Sequence, residues 1–354
     1  MIGKSMNENR CKKLILAVLA SACSGALHLS AQDNVFLISG SPVRGEISGS
    51  TLASIIVTTD KGKIDVPVQT IRNITFGKVP LEFSKAKDRF EAGRFDDGLV
   101  ELSNISGNID GKMLNQEIEY MKSWGAAKSA LTSGSVTARD AGNTVSAFLK
   151  KFPDSHHFYA LTELLGQLLV AVGRNDLAEA EFARLAESKL PEYELTGNFF
   201  LGQAQLLSDN GAGAEKSFTT VINASANDDA SAKLKAVANC LKAKALLQQG
   251  KTDEARQIVE KIIQNENPDE QALFAQAYNV MGLVHMKSGD HLSAALAFLH
   301  TDLLFPNQTD AHAEALYYLT SLWQKLDKND KSLESRTMLK SMYRNSIWAT
   351  RIDQ

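Results

Sequence analysis

The sequence predicts a mainly α protein, an array of antiparallel helix pairs preceded by a small β module and an export signal. Three observations carry that prediction. Short β-branched runs broken by turn residues are confined to residues 34 to about 80, whereas Ala, Leu, Glu, Lys and Gln dominate after Pro80. Glycines at 173, 211, 250 and 289 recur at intervals of 38, 39 and 39 residues. Only seven prolines occur in 354 residues, and the four beyond residue 80, Pro153, Pro191, Pro268 and Pro306, lie 38, 77 and 38 apart. Proline spaced in that way marks the joins between helices and spares their interiors. At 44% hydrophobic and 22% charged the chain is globular and not disordered, and a formal net charge of −3 offers no basic surface to a polyanion.

Residues 1–31 have the three-part layout of a secretory signal peptide. Lys4, Arg10, Lys12 and Lys13 form the positive start, Leu14 to Ala22 is apolar or small, and small residues continue to Ala31. The run is too short to cross a bilayer, and no later segment approaches the ~18 consecutive apolar residues that crossing needs. Two processing outcomes stay open. Cleavage after Ala31 starts the mature chain at Gln32, whereas Leu19-Ala20-Ser21-Ala22-Cys23 resembles a bacterial lipobox, with Ala20 where leucine is usual, and would acylate Cys23. Loss of the signal removes four basic groups against one acidic group, Glu8, so the mature chain is more acidic than −3. With only Cys11, Cys23 and Cys240 in the chain, no disulfide framework or cysteine-rich zinc site can form, and Cys240 reads as a buried packing thiol.

Strands are predicted at Val35 to Ile38, Val43 to Ile47, Ser54 to Thr58, Lys63 to Val66 and Ile71 to Phe76, with Asp60-Lys61-Gly62 as the hairpin signal. Five short strands in so little chain predict a small antiparallel barrel of SH3-like or Sm-like type, because closure removes unpaired edges. Phe36 and Phe76 alone make no stacking platform, so no nucleic-acid partner is expected.

Beyond Pro80 a residue set repeats. Gly166, Gly173, Ala178, Phe182 and Pro191 are matched in offset by Gly282, Gly289, Ala294, Phe298 and Pro306; Gly202, Ala214 and Phe218 form a third set, with the turn glycine displaced to Gly211, and Ala243, Gly250, Ala255 and Val259 a fourth. Small residues let two helices approach, the glycine between them takes a left-handed conformation, and the aromatic fills the gap beneath the pair. Asn267-Pro268-Asp269-Glu270 reads as a cap followed by a first turn with proline and acidic residues. The set resembles the tetratricopeptide repeat, most closely from Tyr278 to Pro306, and specifically over about four units from 155 to 306. Looser units upstream, at Gly93 to Gly98 and Ala141 to Ser155, and a degenerate last pair from Ala313 to Leu339 ending in Tyr343-Arg344-Asn345-Ser346 bring the array to about seven units. The period of 38 to 39 exceeds the family's roughly 34 residues, and the usual first-helix tryptophan is absent. The Phe152-Pro153-Asp154-Ser155 ending and its echo near the C-terminus resemble repeats of bacterial envelope proteins, among them outer-membrane assembly lipoproteins and cell-division coordinators.

No HExxH, GxSxG, phosphate-loop or dinucleotide glycine pattern occurs. His156-His157 sits at a helix start where surface imidazoles are common, and Asp228-Asp229 falls between units, so no metal, cofactor or catalytic group is expected. The resemblance implies a right-handed superhelix with a groove lined by first helices, which takes protein or peptide partners. Its groove register falls on Glu163, Gln167, Phe199, Gln203, Lys244, Asn279, Leu283, Met286 and Lys287. Of the Phe199-Phe200 pair, one ring must face the core. Tyr317, Tyr318 and Trp323 are core or, if exposed, a terminal interface, since a last unit must be polar outside or dock. The expected organisation is therefore a signal (1–31), a β module (32–80) and a helical array (81–354). Its function is that of a non-catalytic exported scaffold, and any membrane association comes through a lipid on Cys23.

Overall fold

The β-branched runs become five strands, β1 (Asp33–Leu37), β2 (Val43–Ser50), β3 (Ser54–Thr59), β4 (Gly62–Pro67) and β5 (Ile71–Thr75). The computed structural model describes residues 32–353 except 108, 133, 227 and 268, so the signal with Cys23, and Pro268, lie outside the described residues. All strand pairings are antiparallel, in the order β4-β3-β2-β1-β5. The predicted hairpin joins β3 to β4, where Thr59 pairs with Gly62 and Gly62 takes a φ of +124°.

β2 turns a corner. Its residues 43–45 pair with β1 and 46–50 with β3, and the register slips between Ile47 and Gly49. A Cβ on Gly45 would lie 2.3 Å from the Thr58 carbonyl oxygen, so the bend requires a residue without a side chain. The closed SH3/Sm-like barrel is corrected to an open sheet, because β4 and β5 form its two edges. Pro67 has no N–H to continue the ladder, and a 3₁₀ turn at Val68–Thr70 then carries the chain across to β1. Exposed Lys63 and Asp65 on β4 guard that edge against pairing with another chain.

The rest of the chain is helical. In order the helices are α1 (Leu81–Glu91), α2 (Phe95–Ser103), α3 (Lys112–Leu131), α4 (Ala138–Lys151), α5 (Phe158–Ala171), α6 (Asn175–Ala186), α7 (Pro191–Leu207) and α8 (Gly211–Asn223). They continue with α9 (Asp229–Gln248), α10 (Thr252–Asn265), α11 (Gln271–Lys287), α12 (His291–Leu304), α13 (Thr309–Lys325), α14 (Asn329–Met342) and the short α15 (Ile347–Arg351). Side-chain caps start several of them: Asn210 accepts from Gly213 N, Asp228 from Ser231 N and Asp290 from Ser293 N, each at 3.0 Å. Pro191 opens α7 at its first turn. α11 begins only at Gln271, so Asp269 and Glu270 precede the helix and are not in its first turn.

The repeated residues meet as their spacing predicts. A Cβ on Gly166, Gly202 or Gly282 would fall 2.3, 2.7 or 2.6 Å from the ring of Phe182, Phe218 or Phe298, so each aromatic lies directly against the first-helix backbone. Gly173, Gly250 and Gly289 carry the left-handed turn at φ +75° to +78°. Gly211 does not: the turn there is made by Asp209 at φ +56°, and Gly211 starts α8 close beneath the Ala245 carbonyl. Aspartate tolerates αL better than most side chains, which lets the marker move two residues.

The sheet is seated on the array. Val35, Ile47, Ile55, Val57 and Val66 share one core with Met113 of α3. Gln116, also on α3, donates to Ser155 Oγ at 2.7 Å and to Ser50 Oγ at 3.4 Å. Asp96 at the start of α2 ties on the turn after α3, accepting from Ser129 Oγ at 2.5 Å and Ser135 N at 2.9 Å. These bonds, that of Ser129 foremost, hold its carboxyl below the usual carboxylate range. A lowered folded-state pKa stabilises above the unfolded value and loses that effect as pH falls. Asp96→Asn is therefore expected to lose about 1 kcal/mol in urea titrations at pH 7, a difference that shrinks below about pH 4. A loss independent of pH would contradict this.

Candidate functional site

First helices touch first helices along the array, α3 with α5, α5 with α7, α7 with α9, α9 with α11 and α11 with α13. The second helices have no comparable mutual contact among the described residues, so the array curves with the first helices inside. The groove residues expected from the sequence do not share one open surface. Phe199 is buried in the core between α7, α8 and α9, and Phe200 stacks on Phe182 with centroids 5.3 Å apart, so neither ring is free. Asn279 is buried, donating to the Ala311 carbonyl at 2.8 Å. Leu283 is half-buried between two cores. Gln167 donates to Glu163 at 3.1 Å, and burial raises the Glu163 pKa. Gln203 stays half-buried and Lys287 exposed.

Lys244 is paired. Its Nζ forms an ion pair with Glu314 on α13, a residue that no sequence pattern marks beyond its being a helical carboxylate. The pair is shielded, with side chains 14% and 4% exposed. Asn279 on α11 approaches the other Glu314 oxygen at 3.4 Å, so three successive first helices are braced through one carboxylate. Lys244 Nζ also lies 5.4 Å from the ring centre of Trp348.

Trp348 belongs to a strap formed by the C-terminal residues from Tyr343. The strap is tied at its start, where the Tyr343 hydroxyl is 2.7 Å from His312 Nδ1 while His312 Nε2 is 2.7 Å from Asp302. Arg344 then donates to the Gly134 carbonyl, Asn345 to the Ala130 carbonyl at 2.8 Å, and Arg351 to the Leu207 carbonyl at 2.8 Å. Ser346 caps α15, accepting from Ala349 N at 3.1 Å. The strap thus passes the C-terminal ends of α3 and α7 and reaches α9 on the inner side. Trp348 packs between Tyr317 and Tyr318 at 5.3 and 5.9 Å, covering the two rings whose role the sequence left open. Trp323 is core. The last unit docks on its own chain. Cys240 is fully buried, and burial pushes its thiol up to about 12, the expected packing role.

The arrangement of helix pairs is similar to that of a solved structure. A tetratricopeptide repeat protein from Parabacteroides merdae superposes over 77% of this chain and 95% of its own, with a TM-score of 0.56 and 13% identity. The chain has a tetratricopeptide-repeat fold. A Rap protein complexed with Competence and Sporulation Factor is also similar, over 77% of each chain, with a TM-score of 0.49 and 12% identity. No protein-family model matches the sequence, and none of the curated proteins does. No described helix is long and apolar enough to cross a membrane.

Proposed function

We propose that this chain is an exported, non-catalytic scaffold that binds protein or peptide partners on the inner face of its tetratricopeptide array. The observation that carries the reading is the strap. A short segment with one aromatic anchor, Trp348, lies against inner-face residues Lys244, Tyr317 and Tyr318 much as a bound peptide would. The accessible groove is then smaller than the sequence implied, with Gln167, Gln203 and Lys287 at its rim, and a partner reaches the rest by displacing the strap. The signal-like residues 1–31 support a periplasmic location. The lipobox-like run ending at Cys23 supports a second reading, an outer-membrane-associated lipoprotein acting in envelope assembly or cell-division coordination.

Photo-crosslinkers at Gln203 and Lys287, introduced into the intact chain and into Trp348→Ala, test the first reading. The expected result is one partner crosslinked at both positions, with a higher yield from Trp348→Ala. Absence of any crosslinked partner in both backgrounds would remove the scaffold reading. Intact mass of the exported protein and loss of membrane fractionation in Cys23→Ala separate the two processing outcomes.

A further inference from the structure

Three ligating side chains converge where α3 meets the turn before α5. Glu117 comes from α3, and His156 and His157 from that turn, 39 and 40 residues further along. One donor atom from each lies within 4.8 Å of the other two. His157 Nε2 is 2.8 Å from Glu117 Oε2, with side chains 15% and 17% exposed. The His157 ring is parallel to Tyr120 at a centroid distance of 3.4 Å, which fixes its plane, and the His156 ring lies 3.7 Å from it, tilted by 40°. Both ring nitrogens of His156 are buried with no hydrogen-bond partner. Burying an imidazole with neither nitrogen satisfied is costly unless a ligand completes it.

We propose that Glu117, His156 and His157 form a site for a divalent transition-metal ion of the zinc type. Two imidazoles and one carboxylate are a donor set such ions take when one coordination position stays open. Metal–ligand bonds of about 2.0–2.1 Å in tetrahedral geometry place two donors about 3.4 Å apart, so donors that now lie within 4.8 Å of one another must close by up to about 1.5 Å, shared between two side chains. A second layer is already in place: Ser155 Oγ accepts from His157 N at 3.2 Å and from Gln116, which also contacts Ser50 of the sheet. An ion here cross-links α3 to the start of α5 beside the seat of the β module.

The test uses the intact chain freed of metal with a chelator and titrated with Zn²⁺, then with Co²⁺ as an optical probe. One equivalent of Zn²⁺ is expected to bind, Co²⁺ is expected to develop the intense visible bands of a low-coordinate site, and His156→Asn and Glu117→Gln are each expected to weaken Zn²⁺ binding by at least about 100-fold. Failure of the parent to bind, or unchanged affinity in both variants, overturns the proposal. If a variant does not fold, diethyl pyrocarbonate labelling of the parent decides. Zn²⁺ is expected to protect His156 and His157, and labelling indifferent to Zn²⁺ overturns the site.

Discussion

Phe298→Ala is expected to destabilise the chain by about 3–5 kcal/mol and to release its C-terminal units first. Phe298 is fully buried, its ring lies against the backbone of α11 at Gly282, and its other face stacks on Tyr318 with centroids 5.0 Å apart. One side chain therefore fills the joint among α11, α12 and α13, and alanine leaves a void that three helices cannot close together. The glycine makes the argument reciprocal. Gly282→Ala would place its Cβ 2.6 Å from the ring and costs about 1–3 kcal/mol in the parent through overpacking. In the Phe298→Ala background the same methyl enters empty space. The two changes are thus expected to be non-additive by more than about 1 kcal/mol in a double-mutant cycle read by urea unfolding. Additive costs would mean that the ring and the glycine are not one packing unit. Hydrogen exchange gives the order of release, because Tyr318 also packs on Trp348: strap amides are expected to lose protection in Phe298→Ala before those of α5 and α6.

That glycine–aromatic unit was legible because its parts are close in sequence. Sixteen residues separate Gly282 from Phe298, and the offset recurs at Gly166 and Gly202, so local periodicity carries the signal. The strands were legible for the same reason. What periodicity could not carry was anything set by the curvature of the array. Phe199 and Asn279 satisfy the groove register yet are buried: Phe199 lies in the core it shares with Phe218 of α8 and with α9, and Asn279 against the next first helix, whose Ala311 carbonyl accepts its bond. Lys244 and Glu314 are 70 residues apart, and Asn345 reaches Ala130 across 215, so neither contact leaves a local pattern. The aromatic-rich end did leave a trace: Tyr317, Tyr318 and Trp323 read as core or a terminal interface, and Trp348 of the same chain covers the first two while Trp323 is core. The Glu117 cluster left half of one, since His156-His157 is visible as a pair while its carboxylate comes from another unit. The barrel does not close because β4 and β5 stay unpaired with each other, and no residue pattern in the strands distinguishes that open sheet from a closed one.

Lys244→Ala is expected to cost about 3–5 kcal/mol, far more than removal of an exposed lysine, because it strands the buried Glu314 carboxylate. Asn279 gives that carboxylate only a 3.4 Å contact and spends its better bond on the Ala311 carbonyl, so it cannot replace the cation. The pair itself need not stabilise the fold strongly, since desolvating both ions offsets much of their attraction. Lys244→Met combined with Glu314→Leu is therefore expected to recover most of the loss, to within about 1–2 kcal/mol of the parent. The strap separates bracing from simple packing. Trp348 loses the Lys244 ammonium in both the single and the double variant, so hydrogen-exchange protection across the strap is expected to fall in both, even where global stability returns. A double variant that restores stability and leaves the strap protected would show that the ammonium is dispensable and that Trp348 is held by Tyr317, Tyr318, the Arg351 guanidinium and the strap's hydrogen bonds. Loss of strap protection without loss of stability ties the cation to the opening of the inner face, the step a partner on that face requires.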